Sequence, residues 1–199
     1  MGSRVKPRII NAAITLFGRF GLYGVTTLEL AKEARVIEGS LYRLFVTKDR
    51  LYDEAVESVV RGSTDALAQF VLTLYSGESK TQDLASLVGE AVRSWYSSFT
   101  QDGARLLLQA AVSDKKRSAQ ALSPNEKITE ILVTMLDREL KDFHRGKSKF
   151  DTRTAVESLV LTLFQFKITG SPSSSKEEMT SVERYLQHWL CIQLPRPKP

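Results

Sequence analysis

Between Val25 and Arg50 the chain reads VTTLELAKEARVIEGSLYRLFVTKDR, and the helix-start signals inside it fix the spacing of all that surrounds them. Thr26 stands three residues before Glu29, the arrangement in which a hydroxyl and a carboxylate satisfy orphan amides at a helix start. Leu28, Leu30, Ala31 and Ala34 follow as an inner face at helical spacing, and the small Ala31 admits a second helix crossing close to the first. Arg35, Val36 and Ile37 form the turn. A second helix is predicted over Glu38–Leu44, with Leu41 and Leu44 inward and Gly39, Ser40, Tyr42 and Arg43 outward or sideways. Phe45 closes its end, and Thr47 caps a further helix that begins at Lys48. Two short helices joined by so tight a turn make a helix-turn-helix, whose second helix is built to lie in a DNA major groove.

The charge supports that reading. The net charge is +5, and residues 1–50 hold nine Lys and Arg against four acids, so the whole excess sits there. The other 149 residues carry 19 basic and 19 acidic groups. Phosphate neutralisation is the simplest use for a basic segment laid over this motif; a solvated surface is the plainer alternative. The single cysteine, Cys191, excludes an internal disulfide and fits a reducing cytoplasm. No run of about 18 apolar residues predicts a membrane span, and no signal-peptide stretch precedes Ile9. MGSRVK has Lys6 where a myristoylation signal needs Ser or Thr.

Along the chain the pattern is helical throughout. Residues 4–20 carry a stripe of Ile9, Ala13, Leu16, Phe17 and Phe20, ended by Gly21. Residues 48–75 form one long helix with Gly62 near its middle, and residues 81–100 an amphipathic one. QDG at 101–103 breaks the pattern before a short helix from Ala104 to Val112, and 114–122 is a basic, exposed connection. Ser123, Pro124 and Glu126 then start another helix as a capping box, with Pro124 at its first position. Loops are expected at 76–80, 144–149 and 170–175, helices from Asp151 and over 176–194, and an extended tail PRPKP. The fold class is all-α, about nine helices: a helix-turn-helix domain at 1–47 and a helical body at 48–199. The last two helices are apolar around more of their circumference than a surface helix needs, which predicts burial on two sides.

A family resemblance rests on Ala12-Ala13 with Leu16-Phe17, Thr26-Thr27 with Leu30-Ala31, Gly39-Ser40-Leu41-Tyr42 with Phe45, and Thr47-Lys48-Asp49, in that order. Arg8 to Ala55 resembles the DNA-binding domain of TetR/AcrR-type bacterial transcriptional regulators. Two positions depart from it: Arg35 stands where the family has Gly, and Ile37 where it has a capping Ser or Thr. The resemblance implies a cytoplasmic homodimer on a palindromic operator, its last two helices forming a four-helix bundle with the partner. It also implies a small-molecule effector that releases a repressor from DNA.

The candidate DNA-binding residues are Thr26, Thr27, Arg35, Glu38, Gly39, Ser40, Tyr42, Arg43 and Lys48. Thr26, Thr27 and Lys48 lie at helix N-termini, which favour phosphate oxygens. Tyr42 sits where the family places a hydroxyl against phosphate. Gly39 permits close approach with Ser40 beside it. Arg35, Glu38 and Arg43 are the candidates for base reading. Trp95, Tyr96, Phe99, Leu107, Met135, Phe143 and Phe164 are candidates for lining an apolar effector pocket, or plain core. Val160, Phe164, Tyr185 and Trp189 are candidates for the dimer face. His144, His188 and Cys191 have no neighbours that suggest catalysis, so no enzyme activity, cofactor or metal is expected. The rival readings are a helical interaction module with a non-functional helix-turn-helix, and a helical enzyme.

Overall fold

The computed structural model describes residues 5–76, 83–140, 151–170 and 175–193. Among the described residues there are nine helices and no strand. They are α1 (Val5–Phe20), α2 (Thr27–Glu33), α3 (Glu38–Phe45), α4 (Lys48–Tyr75), α5 (Leu84–Ser97), α6 (Gln101–Ala111), α7 (Lys115–Leu140), α8 (Thr152–Thr169) and α9 (Ser175–Gln193). The chain divides into two compact units, Met1–Ser63 with Phe99–Ser123, and Thr64–Ser98 with Pro124–Pro199. The division falls inside α4 and α7, and the first unit takes in α6 as well as the helix-turn-helix.

In the first unit the core is built from Ile9, Ala13 and Phe17 of α1, Leu30 of α2, Leu41 and Phe45 of α3, Leu51 and Ala55 of α4, and Leu106 and Leu107 of α6, all buried. Each such large side chain contributes about 1.5–3 kcal/mol over its exposed state. The Phe17 and Tyr52 rings meet at 5.3 Å between centroids. Helix α6 lies against α1, and two polar links hold it there. Arg19 grips Asp102 through Nε at 3.1 and 3.0 Å, and Gln109 Nε2 donates to the Gly18 carbonyl at 3.2 Å.

Arg117 ties the start of α7 to the first turns of α4. Its Nε donates to Asp53 at 2.7 Å, its Nη2 reaches Asp49 at 3.4 Å, and its guanidinium lies 5.1 Å from the centre of the Tyr52 ring. The carboxylates around it, Asp53 first, raise the guanidinium's already high pKa.

The second unit packs α5, α8 and α9 together. Val88, Val92 and Trp95 of α5, Leu159 and Leu163 of α8, Val182 and Leu186 of α9, and Ile128 and Leu132 of α7 are buried. Asp83 caps α5 through the amides of Ala85 and Ser86, and Asp151 caps α8 through that of Thr154, the latter as the sequence predicts. One charged cluster is set into this core. Lys167 Nζ lies 3.4 Å from Glu178 and 4.4 Å from the centre of the Tyr96 ring, and the Tyr96 hydroxyl donates to Glu178 at 2.8 Å.

Several expectations are corrected. QDG at 101–103 does not break a helix but begins α6: Thr100 caps it by accepting from the Gly103 amide. Residues 114–122 are no connection, since α7 starts at Lys115. Pro124 lies inside α7 rather than at its first position. A proline there leaves the carbonyl four residues back without its amide donor; the Ser123 hydroxyl donates to that Gln120 carbonyl at 2.9 Å, which lets the helix continue.

Phe20, Leu28 and Leu44, expected inward, are exposed. With only seven residues, α2 turns one narrow arc of Leu30, Ala31 and Ala34 to the core, and Leu28 lies off it. Leu44 stands at the edge of the arc defined by Leu41 and Phe45, and Phe20 is the last residue of α1.

Candidate nucleic-acid interface

The interface is set by how α2 begins and how it ends. At its start the capping box is complete: Thr26 Oγ1 accepts from the Glu29 amide at 3.2 Å, and the Thr26 amide donates to Glu29 Oε2 at 2.7 Å. The Thr26 amide, and then its hydroxyl, hold the Glu29 carboxyl below the usual carboxylate range.

At its end the Arg35 amide donates to the Lys32 carbonyl and the Val36 amide to that of Ala31, at 3.0 and 2.9 Å. This pair of bonds is the Schellman stop, which needs a left-handed residue between cap and exit. Arg35 is that residue, with φ of 54°. The conformation costs a non-glycine residue about 1–2 kcal/mol.

Helix α3 starts at Ile37, which has no side chain able to cap it. A missing cap costs about 1 kcal/mol. Links back to α2 help hold α3 in place. Thr27 Oγ1 donates to Glu38 Oε1 at 2.5 Å and lies 3.2 Å from the Tyr42 hydroxyl. Leu41 and Phe45 anchor the opposite side of α3 in the core. At its C-terminus Val46 has φ of 59° and ψ of −50°, and the Thr47 amide bonds the Phe45 carbonyl across it. Thr47 Oγ1 then accepts from the Arg50 amide at 3.1 Å as the predicted cap of α4.

The sequence-predicted residues gather on this one unit. Thr26, Arg35, Gly39, Tyr42 and Arg43 are exposed, and Thr27, Glu38, Ser40 and Lys48 are half-buried. Among the described residues neither Arg35 nor Arg43 pairs with an acid, whereas Lys6 and Arg50 share Glu54 and Arg19 holds Asp102. A Cβ built on Gly39 would meet nothing within 4 Å, so packing does not demand glycine there. Lys48 Nζ donates to the Val25 carbonyl at 3.0 Å, which ties α4 to the residue before the α2 cap.

Sequence reasoning missed Arg8, whose Nη2 donates to the carbonyls of Ala34 and Arg35, both at 2.6 Å. No local pattern marks it, because its partners lie 26 and 27 residues away.

Residues 9–55 match the sequence profile described as bacterial regulatory proteins, tetR family. That stretch is a DNA-binding domain of the tetR type. No curated protein sequence is a significant match to it. Among solved structures it is similar to the ketosteroid transcriptional regulator KstR2 of Mycobacterium tuberculosis, with a TM-score of 0.76 and 15% identity over 98% of this chain and 97% of that one. It is similar to the TetR-family regulator PfmR of Thermus thermophilus, with a TM-score of 0.66 and 17% identity over 95% of this chain and 100% of the other. A third likeness is to the fatty acid degradation regulator FadR of Bacillus halodurans, with a TM-score of 0.60 and 18% identity over 95% and 99% of the two chains. These likenesses extend the TetR fold over 95–98% of the chain. The TetR domain makes it a DNA-binding transcriptional regulator rather than an enzyme.

The body residues are placed less simply. Phe99 and Leu107 belong to the first unit, and Trp95, Tyr96, Met135 and Phe164 to the second. Trp95 lies 6.5 Å from Phe164 and 6.3 Å from Tyr96 between ring centroids. Phe143 and His144 lie outside the described residues, as does the side chain of Cys191. Val160, Phe164 and Trp189 are buried within their own chain, and Tyr185 packs edge-on against Phe166 at 5.9 Å. The exposed apolar residues of α8 are Leu161 and Phe166, 62% and 47% accessible, neighbours of the residues singled out from sequence. Among the described residues no helix is long and apolar enough to cross a membrane.

Proposed function

We propose that the protein is a homodimeric, ligand-responsive repressor acting on a palindromic operator in the cytoplasm. The observation that carries the reading is the face of α2 and α3 on which Arg35, Gly39, Tyr42 and Arg43 stand exposed, with neither arginine paired to an acid among the described residues. Tyr42, Thr26 and Thr27 contact phosphates and set register; Arg35, Glu38 and Arg43 read base edges; Gly39 and Ser40 allow α3 to sit close to the groove floor. Lys48 acts at the same backbone and also holds the start of α2. Two such faces on a symmetric dimer match the two half-sites of a palindrome.

Dimerisation through α8 and α9 is supported by the apolar residues that α8 leaves in solvent, Leu161 and Phe166, with Tyr185 beside them. Val160, Phe164 and Trp189 are buried within their own chain. The effector is a small, largely apolar molecule bound in the body, where Trp95, Tyr96, Met135 and Phe164 of the second unit are its candidate contacts. It releases DNA by favouring the state that binds DNA poorly, since a ligand shifts an equilibrium only by its differential affinity.

Binding to mixed-sequence duplex DNA at two salt concentrations tests the reading. A protein that neutralises 6–10 phosphates loses about 10³–10⁵ in affinity between 50 and 200 mM salt. Absence of DNA binding at either salt leaves the interaction-module reading in its place. A monomeric mass in solution at binding concentrations removes the dimer.

A further inference from the structure

We propose that Arg8 is a positioning residue for the recognition helix: it clamps the turn between α2 and α3 in a conformation that Arg35 would not hold alone. The inference rests on the DNA-binding reading above and adds to it a residue that lies outside the helix-turn-helix.

Arg8 holds the two carbonyls that flank the Arg35 Cα. The Ala34 carbonyl belongs to the peptide plane before Arg35, and the Arg35 carbonyl to the plane after it. The orientation of the first plane about the Arg35 Cα is φ, and that of the second is ψ. A single nitrogen, Arg8 Nη2, donates to both at 2.6 Å, so one group restrains both soft dihedrals of the one residue in the turn with positive φ. The bonds are charge-assisted, which makes them shorter and stronger than neutral ones. A guanidinium is also favoured beside the carbonyl end of a helix.

The root of the clamp is firm. Its neighbours Ile9, Ala12 and Ala13 on α1 are buried at 0, 5 and 0% accessibility. Across the turn, the Val36 amide depends on Arg35 staying left-handed to reach the Ala31 carbonyl. The direction in which α3 leaves the turn follows from those same dihedrals. Glycine at position 35 would make the conformation nearly free; with arginine there, an outside restraint has a job to do. A phosphate contact by Arg8 is the competing explanation, and it predicts no dependence on residue 35.

The experiment is a double-mutant cycle in the full-length chain: Arg8→Ala, Arg35→Gly, the double variant, and Arg8→Lys. Affinity is measured for a duplex that the unmodified protein selects from a random pool, and hydrogen exchange is followed at the Val36 amide. Arg8→Ala is expected to weaken binding about five- to thirtyfold in the Arg35 background, and by less than about threefold once residue 35 is glycine, because coupled residues are non-additive. Val36 exchange should quicken in Arg8→Ala and recover in the double variant.

Equal losses of affinity in both backgrounds overturn the proposal, as does full affinity in Arg8→Lys, which keeps the charge on a shorter arm. If Arg8→Ala fails to fold, Arg8→Gln takes its place in the cycle. If the unmodified protein selects no duplex, the DNA-binding reading fails by itself; Val36 exchange then decides the clamp alone, and unchanged exchange in Arg8→Ala refutes it.

Discussion

Gly18 of α1 and Asp102 of α6 pass so closely that a Cβ on the glycine would stand 2.2 Å from the aspartate's carbonyl oxygen. The obstacle is backbone, so no side-chain rotation relieves it. Gly18→Ala should force α6 away from α1, break the Arg19–Asp102 pair, and destabilise the protein by about 1–3 kcal/mol or more, as overpacking does. Chemical denaturation of the variant checks this; an unchanged midpoint would mean that α1 and α6 do not pack as described.

Val46 is the second residue whose backbone and side chain disagree. A β-branched residue at φ of 59° and ψ of −50° is held in a sparsely populated region, at a cost of about 1–3 kcal/mol. Val46→Gly removes that strain but adds about 0.4–1 kcal/mol of unfolded-chain entropy. The side chain is exposed, so little packing is lost. A rise in melting temperature of a few degrees is the expected outcome of a scan on the variant.

The phenol of Tyr96 gives the body a pH signature. Burial first, and donation to Glu178 second, raise it above its ordinary value of 10.0. The folded state therefore holds this proton more tightly than the unfolded one. The resulting stability is fully present below pH 10.0 and is lost as pH rises from there through the folded value. Tyr96→Phe should be less stable near pH 8 by about 0.5–1.5 kcal/mol, and should decline less between pH 10 and 11 than the unmodified protein. Parallel alkaline curves would mean that the hydroxyl is not held as described.

On the recognition helix the side chains should separate by role. Tyr42→Phe removes a hydroxyl that lies 3.2 Å from Thr27 Oγ1, and should weaken binding to every duplex alike, because phosphate contacts carry no sequence information. Arg43→Ala should instead relax preference at one base position by about 1–3 kcal/mol. Competition assays with single-base variants of a selected duplex distinguish the two. Lys48→Ala should lower stability along with affinity, since its ammonium also holds the Val25 carbonyl.

The helix-turn-helix was legible because its signals are local. Thr26 with Glu29 sets a start, Thr47 another, and the apolar spacing between them needs no distant partner. The left-handed turn at Arg35 was legible as a departure, but its support was not: Arg8 acts from another helix, 27 residues away. Residues 114–122 read as an exposed connection because their polarity is that of a loop. They are helical where Arg117 meets Asp49, Asp53 and Tyr52, partners more than 60 residues back. Pro124 misled for a related reason, since the pattern that starts a helix also serves to carry one past a proline when Ser123 supplies the missing donor. Lys167 had a visible signal that went unread: it continues the buried stripe of Val156, Leu159, Val160, Leu163 and Phe164 at helical spacing.

The first compact unit is assembled from two separated stretches, residues 1–63 and 99–123. A chimaera made by cutting after the helix-turn-helix and joining it to a foreign sensor would discard Asp102, Leu106, Leu107 and Arg117, the underside on which α1 and α4 rest. Transplanting the DNA-binding unit of this protein therefore takes a discontinuous cassette, with the second stretch carried along.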